Sequence, residues 1–206
     1  MNNHVYEIHT DRLIIRCYKP SDALSLKTAI DQSLDHLLPW MPWAKNEPEE
    51  LSQKVERLRK YRGQFDLDLS YTYWIFEKDN KTLVWSSWYH NSSETWSLEI
   101  WYRIRLSHIG KWFATEVTKA LTKTWFEMLS LECIHIHCDS KNERSANIPQ
   151  KLWFTKEATL KVNEKDDNWN RKEKLIWKMF SETYQKCPFE ISLRFYDECW
   201  DEIFSS

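Results

Sequence analysis

A seven-residue segment, GKWFATE at Gly110–Glu116, contains the residue types that bind a phosphate group where a loop enters a helix. Gly110 and Ala114 are small enough for the backbone to approach phosphate oxygens closely, and Lys111 adds a positive charge. A helix N-terminus also supplies unpaired N–H groups and a positive dipole potential. Trp112 does not fit, because its indole occupies space that a phosphate would need. The segment predicts a phosphate-binding loop with one anomalous residue.

A second segment, CIHIHC at residues 133–138, has the residue types of a metal site. On a strand, Cys133, His135 and His137 lie on one face, spaced about 7 Å apart. Ligands at that spacing on a single strand rarely converge on one ion without a second element. We therefore expect no metal site and interpret the segment as an ordinary polar strand.

The phosphate-loop segment lies between two strongly patterned stretches. SLEIWYRIR, before it, is rich in branched and aromatic residues and predicts a strand. IGKWFATEVTKALTKTWFEMLS has apolar residues at helical spacing and predicts a long helix. The apolar face of that helix consists of Ala114, Val117, Leu121, Trp125 and Leu129.

The whole chain gives the order β-α-α-β-β-β-α-β-α-β-β, which is typical of a single α+β domain around a mixed sheet. Ser21 is expected to cap the first helix, and the second helix is expected to end near Gly63. The polar segments DNK, NSSET and DDNWNR predict turns. The other predicted strands are DRLIIRCYK, SYTYWIFEK, TLVWSSWYH, CIHIHCD, FTKEATLKV and EKLIWKMF; the other predicted helices are SDALSLKTAIDQSL, EPEELSQKVERLRKYRGQF and NERSANIPQKLW; DHLLPWMPW predicts a loop.

Length and composition exclude several classes of protein. The 206 residues fit one domain, placed at residues 8–181, with an appended helix or a loose tail at 182–206. A net charge of −2 argues against nucleic-acid binding. No apolar run approaches the roughly 18 residues of a membrane span, and the first residues lack the apolar core of a signal peptide. Five irregularly spaced cysteines predict reduced thiols and a cytoplasmic protein.

Two residue counts are abnormal. The chain has 2 glycines and 13 tryptophans. Average usage of about 7% would give roughly 14 glycines in a chain of this length. Only glycine enters the positive-φ region without steric cost, so a fold with many turns cannot easily do without it. These counts therefore point to a cause other than folding physics.

Five segments in order resemble the GNAT acetyltransferase superfamily, and most closely its RimJ/RimL-type branch. They are TDRLIIR, LLPWMPW, SLEIWYRI, IGKWFATE and NERSANIPQKLWF, and the resemblance covers about Thr10 to Phe180. It implies a mixed, mostly antiparallel twisted sheet flanked by helices. It also implies acetyl-CoA as the donor and a primary amine as the acceptor.

The chain departs from the family in a systematic way, with tryptophan where the family has glycine. We hypothesise that the source organism translates UGA codons as glycine, whereas the amino-acid sequence was obtained by translating them as tryptophan. The alternative is genuine substitution in a decayed enzyme. Trp40, Trp43 and Trp177 stand where the family itself favours tryptophan, and Trp200 cannot be assigned. The positions that the hypothesis covers are Trp74, Trp85, Trp88, Trp96, Trp101, Trp112, Trp125, Trp153 and Trp169.

The resemblance implies a binding mode for acetyl-CoA. Its diphosphate would lie across the backbone N–H groups from Ile109 to Ala114, with Lys111 nearby. Its pantetheine arm would pair like an extra strand near Tyr102 to Ile104. Asn142 matches the family asparagine that holds this arm. The implied loop residues are Ile109, Gly110, Lys111, Trp112, Phe113 and Ala114.

Acetyl transfer needs a base for the amine and an acid for the leaving thiolate. Glu99 is the candidate base, and the alternative is a solvated strand carboxylate. Ser145 is the candidate acid, because the family's usual tyrosine position is Pro149 here; the alternative is a helix residue that caps or packs. Trp40 and Trp43 are expected to border the acceptor cleft, or else to pack against the core.

We therefore expect an N-acetyltransferase that acts by direct attack of the amine in a ternary complex. The acceptor would be a protein N-terminus, such as that of a ribosomal protein, or a small-molecule amine, and the protein a monomer or homodimer. The alternative is a non-catalytic acyl-CoA-sensing or protein-binding module. An obstructed loop at Trp112 would favour this alternative.

Overall fold

A computed structural model describes residues 5–91, 96–165, 169–186 and 188–205. Contacts divide the chain into two compact units, described separately below. The first consists of Met1–Tyr89, Tyr102–Ala120 and Ile191–Ser206, and the second of His90–Trp101 and Leu121–Glu190.

Ten strands and six helices occur in the described residues. The strands are β1 (Glu7–His9), β2 (Leu13–Cys17), β3 (Thr72–Glu77), β4 (Leu83–Asn91), β5 (Ser97–Ile104), β6 (Cys133–Asp139), β7 (Thr155–Lys165), β8 (Arg171–Phe180), β9 (Arg194–Tyr196) and β10 (Glu202–Ser205). The helices are α1 (Ala23–Asp31), α2 (Leu34–Leu37), α3 (Leu51–Asp66), α4 (Phe113–Leu129), α5 (Glu143–Lys151) and α6 (Ser181–Lys186). Three short 3-10 turns lie at Pro20–Asp22, Pro42–Asn46 and Leu106–His108.

The first unit is built on antiparallel strands in the order β10-β9-β1-β2-β3-β4. Every residue of β2 is buried, including Arg16, whose guanidinium is paired with the Asp22 carboxylate. α1 and α3 pack against each other, and their apolar faces join a core cluster that includes Ile30, Leu58 and Trp74. The last residues of β5 continue beside β4, where Arg105 N–H donates to the Val84 carbonyl at 2.9 Å.

The second unit is a mixed sheet. The start of β5 runs parallel to β6, and β8 and β7 follow as antiparallel strands. In the parallel pair Glu99 lies opposite His135. α5 contacts β6 and β7. Because parallel neighbours keep the same side-chain alternation, residues on one face of β5 meet residues on the same face of β6.

Most predicted elements are confirmed, and the differences have physical causes. Ser21 does not cap the first helix, because it lies inside a 3-10 turn and Asp22 is held instead by both terminal nitrogens of Arg16 at 2.9 Å. The second predicted helix corresponds to α3, which runs past Gly63 to Asp66. β1, β9 and β10 were not predicted, since segments of three or four residues show no periodicity.

The proline-broken loop contains α2 and a 3-10 turn. Of the predicted turns, DNK is confirmed: Asn80 N–H donates to the Glu77 carbonyl at 2.9 Å. NSSET and DDNWNR lie partly outside the described residues. Throughout the described ranges, every helix is too short or too polar to cross a bilayer.

Candidate functional site

The predicted phosphate loop lies between β5 and α4, as the sequence requires. β5 ends at Ile104, a 3-10 turn follows, and Ile109 is extended. Gly110 then has φ 82° and Trp112 has φ 67°, and α4 begins at the next residue. A Cβ on Gly110 would meet no atom within 4 Å, so its conformation rather than crowding demands glycine there.

The start of α4 leaves backbone donors available. Glu116 N–H donates to the Trp112 carbonyl at 3.1 Å, which is the first bond of the helix. In the part of the chain that the structure describes, the N–H groups of Lys111, Phe113 and Ala114 have no acceptor. The side chain of Lys111 is exposed. Available N–H groups, a helix dipole and a lysine together favour an anion.

Trp112 is the residue of this loop that does not suit an anion. Its side chain is 61% exposed, and it stands at the mouth of the helix in a left-handed conformation. A bulky side chain there limits how closely phosphates can approach the backbone. The anomaly in the sequence is therefore also an anomaly in the structure.

Three residues that the sequence analysis did not single out hold the loop in place. Arg12 Nε donates to Glu116 Oε2 at 2.6 Å, and its Nη1 donates to the Lys111 carbonyl at 3.1 Å. The Thr10 hydroxyl donates to Glu116 Oε1 at 2.6 Å. Arg12 also lies over the Phe113 ring at 4.6 Å from its centroid. The available signal was TDRLIIR, which contains both Thr10 and Arg12.

His108 supports the loop from the other side. Its Nδ1 lies 2.8 Å from the Ser107 hydroxyl, and its Nε2 lies 3.1 Å from Glu77 Oε1. Burial lowers the pKa of His108, and the positive charge of Lys111 acts in the same direction. The Glu77 carboxylate opposes this shift without reversing it.

Glu99, the predicted base, meets a histidine on the neighbouring strand. Its Oε1 lies 2.8 Å from His137 Nδ1, and the side chains are 15% and 18% exposed, respectively. The contact has ion-pair distance but not hydrogen-bond angles, so Oε1 accepts no hydrogen bond from any described residue. His137 Nε2 is likewise buried without a hydrogen-bond partner among the described residues. A nearly buried carboxylate oxygen thus faces an imidazole nitrogen across the two strands.

Asn142 and Ser145 are brought together by the start of α5. Asn142 is the N-cap residue, and its side-chain oxygen accepts from Ser145 N–H at 3.1 Å. The Ser145 side chain hydrogen-bonds Cys138, whose pKa is raised by burial. Part of each side chain's hydrogen bonding is therefore structural, as the alternative interpretation of Ser145 anticipates.

Trp43 packs against the core cluster of the first unit, and Trp40 is half-buried. The Arg103 guanidinium lies between two indoles, 4.7 Å from the Trp43 ring centroid and 4.2 Å from that of Trp88. Burial lowers the pKa of Arg103 to about 10. Tyr102 and Ile104, on either side of Arg103, are half-buried.

The CIHIHC segment forms β6, with His135 and His137 ring centroids 6.0 Å apart. Within the described ranges, no group of three or more His, Cys, Asp or Glu side chains could hold a metal ion.

Comparison with solved structures shows extensive likeness in fold. The ribosomal-protein-S5-alanine acetyltransferase from Vibrio fischeri has a TM-score of 0.72 at 18% identity, covering 85% of this chain and 97% of that chain. The microcin C7 self-immunity acetyltransferase MccE, in complex with acetyl-CoA and AMP, has a TM-score of 0.74 at 16% identity, covering 82% and 93%. RimL, a ribosomal L7/L12 α-N-protein acetyltransferase in complex with coenzyme A, has a TM-score of 0.74 at 15% identity, covering 84% and 97%.

At these identities the likeness concerns the fold, and it confirms the expected α+β class with a mixed, mostly antiparallel sheet flanked by helices. A search of curated proteins finds no match. The sequence matches the family described as "Acetyltransferase (GNAT) domain" over residues 12–155, more than half of the chain. The protein therefore belongs to the GNAT acetyltransferase family.

Proposed function

We propose that the protein is an acetyl-CoA-dependent N-acetyltransferase that transfers an acetyl group to a primary amine by direct attack in a ternary complex. The observation that supports this most is the loop before α4, where available N–H groups and Lys111 meet the positive end of a helix inside the family-matched segment. Two solved structures of similar fold contain acetyl-CoA or coenzyme A.

The loop residues suit the diphosphate of acetyl-CoA, apart from Trp112. The N–H groups of Lys111, Phe113 and Ala114 would donate to its oxygens, and the side chain of Lys111 would contribute charge. Main-chain groups between Tyr102 and Ile104 would pair with the pantetheine arm. The Asn142 side-chain oxygen already accepts from Ser145 N–H, so its amide group is the part left for the arm.

Glu99 would accept the proton that the amine loses as it attacks the acetyl carbonyl. Its Oε1 lies 2.8 Å from His137 Nδ1, so the imidazole packs directly against the carboxylate. We assign His137 as a positioning residue for this carboxylate. A positioned general base contributes about 10²–10⁴-fold to such a reaction.

Ser145 would donate a proton to the sulfur as the thiolate leaves. It lies in the first turn of α5, fixed by the Asn142 cap. Its hydroxyl lies close enough to Cys138 to hydrogen-bond it. Backbone N–H groups aimed at the acetyl oxygen would stabilise the negative charge that develops there.

The acceptor proposed first is a protein N-terminus, as in the RimJ/RimL-type branch. Two proteins of similar fold are named as ribosomal-protein acetyltransferases. Trp40 and Trp43 would border the acceptor cleft. A small-molecule amine is the other acceptor class.

Cys17, Cys133 and Cys138 are buried free thiols, which supports a reducing, cytoplasmic location.

The exposed indole of Trp112 favours the second candidate, a non-catalytic module that senses acyl-CoA or binds a protein. If position 112 is tryptophan in the functional protein, the backbone is shielded from phosphates. Binding and turnover must therefore be measured separately.

The test combines calorimetry with detection of released thiol. Acetyl-CoA affinity is measured for the chain with tryptophan at position 112, for Trp112→Gly and for the control Trp169→Gly, which changes a left-handed residue outside the loop. We expect Trp112→Gly to bind about tenfold more tightly or better, equivalent to about 1.4 kcal/mol, and the control to bind unchanged.

Thiol release is then followed with N-terminal peptides of ribosomal proteins, polyamines and aminoglycosides. Release with any of these amines, abolished by Glu99→Gln, supports the enzyme. Binding of acetyl-CoA without release of thiol on addition of any of these amines would establish the sensing module instead. Failure of every variant to bind acetyl-CoA would refute both the enzyme and the acyl-CoA sensor, and would leave the protein-binding module.

A further inference from the structure

Tryptophan occupies a backbone conformation that disfavours bulky side chains. Eight described non-glycine residues have φ between 52° and 67°. Three are Asp68, Asn80 and Ser130, small polar residues that suit turns. The other five are all tryptophan: Trp96, Trp112, Trp153, Trp169 and Trp200.

The other large aromatic residues provide an internal comparison. The chain has nine Phe and nine Tyr, and none of those in the described ranges has a positive φ. Bulk or aromaticity therefore does not explain the conformation. Trp85, at φ 157°, borders on extended backbone and is not counted.

The backbone around Trp153 forms a motif whose left-handed position is usually glycine. α5 ends at Lys151, Phe154 N–H donates to the Pro149 carbonyl at 3.0 Å, and Trp153 N–H donates to the Gln150 carbonyl at 3.4 Å. This pair of bonds defines a Schellman C-cap, in which the residue at the position of Trp153 is left-handed. Its indole is 68% exposed, so core packing gives no reason for tryptophan.

Trp200 occupies an equivalent position in a hairpin. Asp197 N–H donates to the Asp201 carbonyl at 3.1 Å, and Trp200 N–H donates to the Asp197 carbonyl at 3.1 Å. A three-residue loop with a type I turn followed by a left-handed residue has this pattern, and glycine is favoured at that last position. The sequence alone gave no assignment for Trp200, whereas the hydrogen bonds do.

We infer that positions 96, 112, 153, 169 and 200 are glycine in the native protein, specified by UGA codons that the source organism reads as glycine. The five positions lie just before β5, α4, β8 or β10, or just after α5, where chains turn. Backbone angles give no such support at Trp74, Trp88, Trp101 and Trp125.

One of the five positions, 112, lies in the proposed acetyl-CoA site, but the backbone evidence for glycine does not depend on that site. Glycine at position 112 would give two left-handed glycines around Lys111 and remove the indole from the start of α4. The loop would then read glycine-lysine-glycine-phenylalanine-alanine, which exposes backbone N–H groups to a diphosphate.

The test determines the codon and the amino acid at each position, and it does not require the protein to be active. The codons at the five positions are sequenced, and tryptic peptides of the protein purified from its source are identified by mass spectrometry. Trp40, Trp43 and Trp177 are the controls, expected to have UGG codons and tryptophan in the peptides. We expect UGA and glycine at all five positions. UGG codons, or tryptophan in the peptides covering positions 153 and 200, would overturn the inference whatever the protein catalyses.

Discussion

Arg12 and Glu116, separated by 104 residues, form a charged hydrogen bond of 2.6 Å between Nε and Oε2. The pair joins the turn after β1 to the first turn of α4. Glu116 is only 12% exposed, whereas Arg12 is 48% exposed. The Glu116 carboxylate is thus better shielded from solvent than Arg12, and it also accepts a hydrogen bond from the Thr10 hydroxyl. Together these contacts fix the backbone that the proposed diphosphate would meet.

Replacing Glu116 should therefore affect both stability and acetyl-CoA binding. In Glu116→Ala the buried Thr10 hydroxyl loses the nearer of its two acceptors, and Arg12 loses its carboxylate, which should lower the free energy of unfolding by about 1–3 kcal/mol. KM for acetyl-CoA should rise about tenfold with little change in kcat, because ground-state and transition-state binding are lost together. Urea unfolding and steady-state kinetics measure the two effects. Arg12→Lys is the milder comparison, and an unchanged KM in Glu116→Ala would contradict this role for the loop.

Removing the proposed base should separate chemistry from binding. Glu99→Gln should lower kcat by about 10²-fold or more, with acetyl-CoA affinity unchanged. His137→Gln should lower kcat less, because the carboxylate remains but loses its neighbour at the Nδ1 position. His137→Asn places an amide nitrogen near the position of Nδ1 and should recover part of the loss. An equal loss in His137→Asn and His137→Gln would show that the histidine does more than position Glu99.

Acid should destabilise the protein partly through His108. Because burial lowers the pKa of His108, the unfolded chain binds this proton more readily than the folded chain does. The free energy of unfolding should therefore fall as pH drops through the ordinary histidine value of about 6.5. His108→Gln should lose this component. Between about pH 8 and about pH 5, the urea midpoint should fall more steeply for the protein with His108 than for His108→Gln. Parallel curves would contradict the assignment.

The left-handed tryptophans should respond to glycine in the opposite direction from a buried one. Trp153→Gly should raise the free energy of unfolding by about 1 kcal/mol, since a left-handed bulky residue costs about 1–2 kcal/mol. Trp177→Gly is the matched control, because Trp177 is buried in β8 and its loss should cost about 3–5 kcal/mol. Thermal or urea unfolding measures both changes. A loss of stability in Trp153→Gly comparable to that in Trp177→Gly would contradict the expectation.

The combined conformational cost of the five left-handed tryptophans would lower the stability of the whole fold. Five such residues would cost about 5–10 kcal/mol, which approaches the net stability of an ordinary domain. A chain that carried all five would need compensation elsewhere. Glycine removes the cost without any compensation.

The sequence predicted those parts of the fold and the site that depend on local patterns. β5, the loop and α4 follow from alternation, a glycine and helical spacing in one continuous segment. The contact between Glu99 and His137 could not be predicted, because it depends on the parallel register of β5 and β6. The Arg12–Glu116 pair joins residues too distant in the chain for any local pattern to connect. The capping prediction for Ser21 was wrong because a 3-10 turn precedes α1 and Asp22 binds Arg16, a residue of the preceding strand.

The exposure of the five left-handed indoles has an optical consequence. They are 40–77% exposed, whereas Trp177 is buried and Trp43 is packed beside the core. Indoles in water emit at longer wavelengths than buried ones and are readily quenched by dissolved iodide. A chain with all five would emit, even when native, at longer wavelength than its buried indoles alone. A chain with glycine at those positions would emit at shorter wavelength and resist quenching, so a spectrum alone would distinguish the two proteins.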